Sequence, residues 1–378
     1  MAVPCRISRL QITDFRTYAQ ANLAPDAMLV ALTGDNGAGK TNLLEAVSLL
    51  AQGRGLRRAD LAEMARQRGG GGFAVSAEIE GGLGANHLGT GLLVGEPGRK
   101  ARINRAPATS PAAFADHVRL VWLTPDQDGL FRASAGERRR FLDRLVLAVD
   151  PGHGARVNAL EKALRARNRL LEDPYPDARW LDAAEHEVAE IAIAVSAARG
   201  EAVGRLAHLI GETRDGTGPF PWADIHLSDV LADQMASQPA GVVEDWYRAE
   251  LAANRARDRA AGRTLIGPQA SDLIVRHGPK DMPAHLSSTG EQKALLIGLV
   301  LAHARLVAAM SGMAPLVLLD EIAAHLDPMR RAALIALLAD LGGQVWMTGA
   351  DPALFTDLPA DAARFLVTPG TVTPMLGA

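Results

Sequence analysis

Cysteine is nearly absent from this chain. Cys5 is the only one among 378 residues, so no disulfide can form within the chain, as suits a reducing compartment. Excess positive charge is missing too. The formal net charge is −3, which excludes a protein that holds polyanions by overall charge and leaves that task to local basic patches. No basic segment followed by an apolar core opens the sequence, so no secretory signal is expected and the cytoplasm is the expected location. The most apolar stretch, 294–310, is broken by His303 and Arg305 and reads as too polar to span a bilayer, so no membrane partner is expected. No internal repeat is found. Lysine is scarce as well: of 40 basic residues only Lys40, Lys100, Lys162, Lys280 and Lys293 are lysines. In so arginine-biased a chain, a lysine at a chosen place suggests a role that a planar guanidinium cannot fill.

The remaining composition is that of a globular protein, 48% hydrophobic and 22% charged, long enough for a large core and two structural units. Its most informative run is Gly34-Asp35-Asn36-Gly37-Ala38-Gly39-Lys40-Thr41, which fits the phosphate-loop pattern G-x-x-x-x-G-K-[ST] at every fixed position. Residues 28–32 before it read as a buried strand. Residues 41–50 after it read as a helix, with Leu43, Leu44, Val47 and Leu50 at helical spacing. In that context backbone N–H groups and a helix N-terminus converge on a polyphosphate. Lys40 is expected at the β- and γ-phosphates and Thr41 on Mg²⁺. A strand-to-helix turn with accidental glycines is the plainer alternative.

Upstream, residues 7–13 read as a strand and Phe15-Arg16-Thr17-Tyr18 as the turn after it. Phe73, Val75, Ala77 and Ile79 alternate with more polar neighbours as a half-buried strand, followed by a turn at 81–84 and a second antiparallel strand at 91–94. The glycine run 69–72 reads as a flexible loop and 118–123 as another strand. From Ser134 the period becomes helical. Ser134 and Glu137 have capping-box spacing, and Phe141, Leu142, Leu145, Val146 and Val149 share one face until Pro151. A second helix carries Val157, Leu160, Leu164 and Leu171. After Pro174 and Pro176, Leu181, Ala184, Val188, Ile191, Val195, Ala198 and Ala202 recur alternately by three and four. That heptad seam suits a helical hairpin or short coiled coil, and equally the packing of a small bundle. Residues 240–260 give one further helix. Arginines cluster around positions 54–58, 99–105, 138–140, 165–169 and 255–263, where each cluster reads either as a solvated helix face or as a contact for a phosphate backbone.

The C-terminal third narrows the chemistry. Residues 315–319 are a short apolar run fit for a central parallel strand, and Asp320-Glu321 ends it. An aspartate there can hold Mg²⁺, and the adjacent glutamate can orient or deprotonate an attacking water. Paired acids could instead serve as helix N-terminal charges. Before this strand, Ser287-Ser288-Thr289-Gly290-Glu291-Gln292-Lys293 opens a helix. Ser288 and Glu291 alone make a capping box, but a cap does not call for Gly290, which weakens the first turn. Gly290 makes sense where backbone must approach a γ-phosphate closely. This helix tip resembles the signature motif of ABC-type ATPases, and Ile322-Ala323-Ala324-His325-Leu326-Asp327 stands where those proteins have their D-loop. In that class the signature of one subunit completes the phosphate site of another, so ATP joins two heads and hydrolysis releases them. An ATP-dependent homodimer is therefore expected.

The insertion between Thr41 and Ser288 is longer than a transporter motor needs and far shorter than an SMC coiled coil. Nearly end to end, the chain resembles the RecF family. Leu10 to Tyr18 follows its "L-x-x-F-R-x-Y" opening, and Gly34 to Ala46 its "GENGxGKTNLLEA" loop. Gly53 to Arg57 stands at its "GRSFR", and Pro125, Asp126 and Arg138 to Asp143 at its "P-x-D … RRRFLD". The chain departs from it at Gln269 and Ala270, where the family often has the His and Arg of "GPHR", so roles of those two side chains are not carried over. It also has Thr348 where a transporter would present a switch histidine, which suggests weak γ-phosphate sensing and slow turnover.

The resemblance implies an α/β fold: an ABC-type ATPase head with a mixed sheet, flanking helices and an antiparallel β lobe, plus an inserted helical lobe carrying a short coiled-coil-like hairpin. The expected boundaries are 1–123 and 265–378 for the head and 124–264 for the lobe. It implies ATP and Mg²⁺ as ligands. The nucleotide-contacting set is Gly34 to Asn42 with Arg16, Ser288, Gly290 and Glu291; Thr41 and Asp320 are the metal ligands, and Lys40, Asp320 and Glu321 the catalytic residues. It implies a slow, DNA-linked ATPase of recombinational repair that binds double-stranded DNA and junctions beside single-stranded gaps, with double-stranded and gapped or single-stranded DNA as partners, and helps load RecA with RecO and RecR. Two rivals stay open: a transporter ATPase subunit, which needs a membrane partner, and a phosphate-loop kinase acting on a small metabolite.

Overall fold

The computed structural model of the chain describes residues 2–96, 98–214, 218–322 and 326–375. They divide into two compact units. The first takes the chain up to Asp128, the segment ending at Trp222 and everything from Ser287; the second takes Gly129–Arg214 and Ala223–Leu286.

The first unit begins with β1 (Arg6–Phe15), β2 (Tyr18–Leu23), β3 (Leu29–Thr33), α1 (Lys40–Ser48) and the single turn α2 (Leu61–Met64). It continues through β4 (Phe73–Gly81), β5 (Gly84–Leu92), β6 (Lys100–Ile103), β7 (Ala106–Pro107) and β8 (Leu120–Leu123). The second unit holds α3 (Ala135–Val149), α4 (His153–Glu172), α5 (Ala178–Thr213), β9 (Ala223–Ser228), α6 (Val230–Met235), α7 (Ala240–Ala253), α8 (Arg255–Ala261), β10 (Asp272–His277) and β11 (Met282–Pro283). The first unit then resumes with α9 (Thr289–Ser311), β12 (Leu316–Leu319), α10 (Pro328–Ala339), β13 (Val345–Gly349), β14 (Ala363–Thr368) and β15 (Thr371–Pro374).

Two sheets make the first unit. One is antiparallel, in the order β2-β1-β4-β5-β6-β7. The other is ordered β15-β14-β3-β13-β12-β8 and is parallel except for the β14–β15 pair. Strands β3, β8, β12 and β13 are buried along their whole length, which is why their sequences are continuous apolar runs rather than alternating ones. β4 alternates buried and open positions, as a strand with one wet face must. The inward side chains of β1 and β4, including Ile7, Ile12 and Val75, join Leu43, Leu44 and Val47 of α1 and Trp346 of β13 in one core. Gln344, fully buried, spends its whole amide at this join. Its Oε1 accepts from Ile7 N–H and from Trp346 Nε1–H, both at 2.9 Å, and its Nε2 donates to Ile7 O and Ala27 O at 3.2 and 2.8 Å. A satisfied buried amide of this kind fixes the register of what it ties together.

Helix α9 is long and apolar enough to cross a membrane by composition, in spite of His303 and Arg305, but 67% of its most apolar window is buried inside the protein. Burial in the core, rather than those two polar residues, accounts for its sequence. Strand β5 runs from Gly84 rather than from Gly91. Its glycines conceal the alternation, and pairing along all of β4, from Phe73–Leu92 to Gly81–Gly84, supplies the strand conformation instead. The helix expected over 240–260 is two, because Asn254 leaves the helical conformation between α7 and α8 while its side chain donates to Glu250 O.

In the second unit α4 and α5 form the expected helical hairpin. The buried face of α5 is broader than the heptad seam, taking in Glu185, Ala189, Ala192, Ser196 and Arg199, since α3, α6, α7 and β9 also pack on it. Residues 265–286, grouped above with the C-terminal part of the head, belong to this unit. β10 pairs with β9 along its length, and Asp272 takes a bidentate bond from Arg138 of α3 at 2.7 and 2.6 Å.

Arg167 is wholly buried here, so it is neither a solvated face nor a DNA contact. Its guanidinium donates to Glu185, Asp258, Thr264 Oγ1 and Leu251 O at 3.1, 2.7, 2.8 and 2.7 Å. Breaking a buried ion pair by removing one partner costs about 3–5 kcal/mol, because the other charge stays buried. Arg167→Met is expected to lower the midpoint of thermal unfolding by roughly 10 °C. An unchanged midpoint would contradict this account of the bundle.

Candidate nucleotide site

The strand order sets the site. β3, β13 and β12 lie side by side and parallel, so their C-terminal ends share one edge. β3 delivers the phosphate loop there, β13 delivers Thr348, and β12 delivers Asp320 and Glu321.

The loop can be made only by glycine at two places. Gly34 has φ 147°, and a Cβ on it would lie 2.1 Å from Val367 O; Gly39 has φ 114°, and a Cβ there would lie 2.6 Å from Tyr18 Oη. Tyr18, buried under the loop with its phenol pushed above the ordinary range by burial, donates to Gly39 O at 3.0 Å. Asp35, Asn36 and Gly37 form the exposed rim, whereas Ala38 and Gly39 are buried. Lys40 begins α1 and is 3% exposed; its ammonium donates to Gly34 O at 2.6 Å and Asp35 O at 2.9 Å, which holds it over the mouth of the loop. A compact ammonium with three rotatable donors can do this and still reach a phosphate, as the scarcity of lysine elsewhere suggests.

Thr41 donates to both carboxylate oxygens of Asp320 at 2.9 and 3.0 Å. Thr348 donates to Asp320 Oδ1 at 2.7 Å and accepts from Glu321 N–H at 2.9 Å. Asp320 is nearly buried. Burial pushes its carboxyl above the usual range, opposed by the hydroxyls of Thr348 and Thr41, while Glu321 pushes it further up and Arg57 pulls it down. Thr348 is 1% exposed with its hydroxyl committed on both sides, so it organises the acid pair rather than presenting a free sensor. Glu321 sits at φ 53°, a left-handed conformation that costs a non-glycine residue about 1–3 kcal/mol and recurs at ligand clamps. Hard oxygens from one carboxylate and one hydroxyl fit Mg²⁺, which takes few protein ligands and completes its shell with phosphate and water. Among the described residues there is no cluster of three or more His, Cys, Asp or Glu that would suit a metal held by protein alone.

Two members of the expected nucleotide set, Arg16 and Asn42, also have protein partners. Arg16, itself at φ 51°, makes a bidentate bond to Glu45 at 2.8 and 2.7 Å and donates to Glu63 O at 2.9 Å. Asn42 donates to Thr17 Oγ1 at 3.2 Å and accepts from Arg57 at 2.8 Å, and Arg57 also reaches Glu45 at 3.2 Å. Together these side chains fasten the first turns of α1 around the fully buried Glu45.

The signature residues form a capping box at the start of α9. Ser288 Oγ accepts from Glu291 N–H at 3.4 Å and Glu291 accepts from Ser288 N–H at 3.1 Å. Ser288, Thr289 and Gly290 are exposed, and the space beside Gly290 is open. Sequence reasoning missed what steadies this helix. Buried Lys293 pairs with Asp128, just beyond β8, at 3.1 Å, and Gln292 donates to Ser287 O at 2.6 Å. The scarcity of lysine was the available signal. Of the expected D-loop, residues 323–325 lie outside those described; Ile322 is buried, and Asp327 caps α10 by accepting from Arg330 N–H at 2.9 Å.

Comparison with known proteins agrees with this architecture. The family model described as the RecF/RecN/SMC N terminal domain matches residues 6–358. The DNA replication and repair protein RecF of Mesorhizobium japonicum is 56% identical over 378 residues, covering 99% of each chain. That of Rhizobium rhizogenes is 53% identical, covering 97% of this chain and 98% of the relative. Among solved structures, the recombination mediator protein RecF-ATPrS of the RecFOR pathway superposes with TM-score 0.88 at 19% identity, covering 99% of both chains. An Smc head domain with an extended coiled coil from Pyrococcus furiosus does so with TM-score 0.52 at 15% identity, covering 98% of this chain and 96% of that one. The two sheets, their flanking helices and the inserted helical lobe are thus the fold of an ABC-type ATPase head. With relatives this similar over its whole length, the chain belongs to the RecF family of DNA replication and repair proteins.

Proposed function

We propose that the protein is an ATP-driven clamp on DNA. Two copies join head to head when ATP is bound, hold duplex DNA beside single-stranded gaps, and part after hydrolysis. The observation that carries this reading is an asymmetry within the first unit. Its loop, Lys40, Thr41, Asp320 and Glu321 meet at one sheet edge, whereas the tip formed by Ser288 and Gly290 is exposed with open space beside it. A second copy supplies what such a tip would cap, and the tip of that copy returns the favour.

In this reading the backbone of 34–39 and the α1 N-terminus cradle the phosphates, and Lys40 leaves its two carbonyls to meet them. Thr41 and Asp320 would hold Mg²⁺, which would supply charge neutralisation at the phosphates. Glu321 orients and deprotonates the attacking water, its place fixed by the bond from its N–H to Thr348. Arg16 and Asn42 act through α1 as positioning residues. With Thr348 in the place of a switch histidine, turnover is slow, as a timer requires. The head is the ATP-dependent switch, and the inserted helical lobe comprises 129–214 and 223–286. By kinship the partners are RecO, RecR and RecA, and the place of action is the cytoplasm.

Binding to duplex, single-stranded and gapped DNA, each with ATP, ADP or no nucleotide, tests this reading. Tight binding is expected only with ATP and with duplex-containing DNA. Equal affinity in all three nucleotide conditions would sink it.

A further inference from the structure

Some of the arginines that cluster in the sequence are held by partners within the fold. Arg138 is held by Asp272, Arg167 is buried, Arg255 grips Glu185 and Asp182, and Arg99 donates to the carbonyls of Leu49 and Ala51 at the end of α1. Others gather at one cleft. In the second unit, a face of α4 and the segment 263–270 bound an open cleft of about 440 Å³. Arg139, Arg165 and Arg263 all line it, against the single carboxylate of Glu161.

The charges there are poorly matched. Glu161 lies 3.7 Å from Arg165 across one turn, with both side chains mostly in water, an arrangement worth a fraction of a full ion pair. Neither Arg139 nor Arg263 forms an ion pair among the described residues. Arg139 is anchored by its bond to Ser271 O at 2.6 Å; burial, then the charge of Arg199, weakens its hold on its proton, Asp272 and Asp143 strengthen it, and Arg140 weakens it again. Asn168 adds polar capacity: its Oδ1 accepts from Thr264 at 2.8 Å, leaving its amide N–H groups for another partner. Guanidinium forks converging on an open groove suit phosphate groups along a chain better than a small enclosed ligand. Gln269 and Ala270, the two departures from the family's usual motif, both line the same cleft.

We propose that this cleft binds the phosphodiester backbone of nucleic acid. The assignment rests on the reading of the protein as a DNA clamp, and it places one contact surface on the helical unit. Arg165 and Arg263 are exposed, so replacing them leaves the fold intact.

The test measures duplex affinity against salt, with a slowly hydrolysed ATP analogue, for the unaltered protein, Arg165→Gln/Arg263→Gln and Ala270→Arg. Each phosphate contact contributes about 0.9 to the slope of log affinity against log salt, so the double variant should be shallower by about 2 and Ala270→Arg steeper by about 1. At low salt the double variant should bind all duplex sequences about tenfold or more weakly. Calorimetric titration with inorganic pyrophosphate runs alongside. If the unaltered protein ignores DNA, the clamp reading fails and this assignment with it. If it binds DNA and the slopes do not move, this assignment alone is overturned. Lost pyrophosphate binding with unmoved DNA slopes would assign the cleft to a free phosphate compound and overturn it as well.

Discussion

Lys40→Met is expected to abolish ATP-dependent retention on DNA, while Glu321→Gln lengthens it. The two side chains lie at the same sheet edge but act at different steps. Lys40 is the buried cation beside the loop, held by Gly34 O and Asp35 O until phosphate competes for it. Hydrogen bonds from a charged donor are worth about 1.5–3 kcal/mol, so methionine should weaken nucleotide binding by roughly ten- to a hundredfold. Without bound nucleotide the heads have nothing to join them, and DNA is not held. Glu321→Gln leaves the binding step alone. The backbone N–H that Thr348 receives and the left-handed φ are properties of the main chain, so glutamine should keep the geometry and lose only the proton acceptor. General-base contributions are typically about 10²–10⁴-fold, so hydrolysis should fall by that order and the DNA-bound lifetime should grow accordingly. Single-molecule dwell times on gapped DNA measure both variants directly. Equal lifetimes would remove the timer from the account.

Ser288→Arg is expected to leave a protein that binds nucleotide and stays monomeric. Ser288 contributes a cap to α9, and losing a cap costs about 1 kcal/mol, little for a helix whose length is mostly buried. The larger effect lies outside the chain. A long cation at an exposed tip fills the open space beside Gly290 and opposes the positive helix end. Sedimentation with a slowly hydrolysed ATP analogue should find the unaltered protein dimeric and this variant monomeric, with nucleotide affinity retained. Ser288→Ala, which loses the cap and adds no bulk, should still dimerise. A monomeric alanine variant would trace the defect to the helix rather than the interface.

How much of this was legible in the sequence depended on how local the cause was. The phosphate loop, its strand and its helix are written in contiguous residues, and Gly34 and Gly39 turn out to be demanded by close backbone and Tyr18 contacts. The acid pair was legible for the same reason, since an apolar strand and two acids stand side by side. Only the end of β5 was, because Gly84, Gly89 and Gly91 carry no period and the rest of the strand is imposed by its partner β4. The arginine clusters misled in part. Whether Arg167 meets solvent or Glu185 and Asp258 depends on residues far away in the chain. The same holds for Lys293, whose partner Asp128 is distant in sequence, and for residues 265–286, which follow β9 into the second unit. Arg16 and Asn42, which the motif places at the nucleotide, also fasten α1 through contacts that only the fold creates.

One mixing experiment addresses the central claim, that each phosphate site is finished by the other copy. Glu321→Gln binds ATP without hydrolysing it, and Ser288→Arg carries a normal loop but a blocked tip. In a dimer of one of each, one site holds both defects and the other holds neither. Combining the two inactive variants, with Ser288→Arg in excess, should restore ATP hydrolysis well above the sum of the separate rates. A mixture no more active than its two components would contradict a site shared between copies.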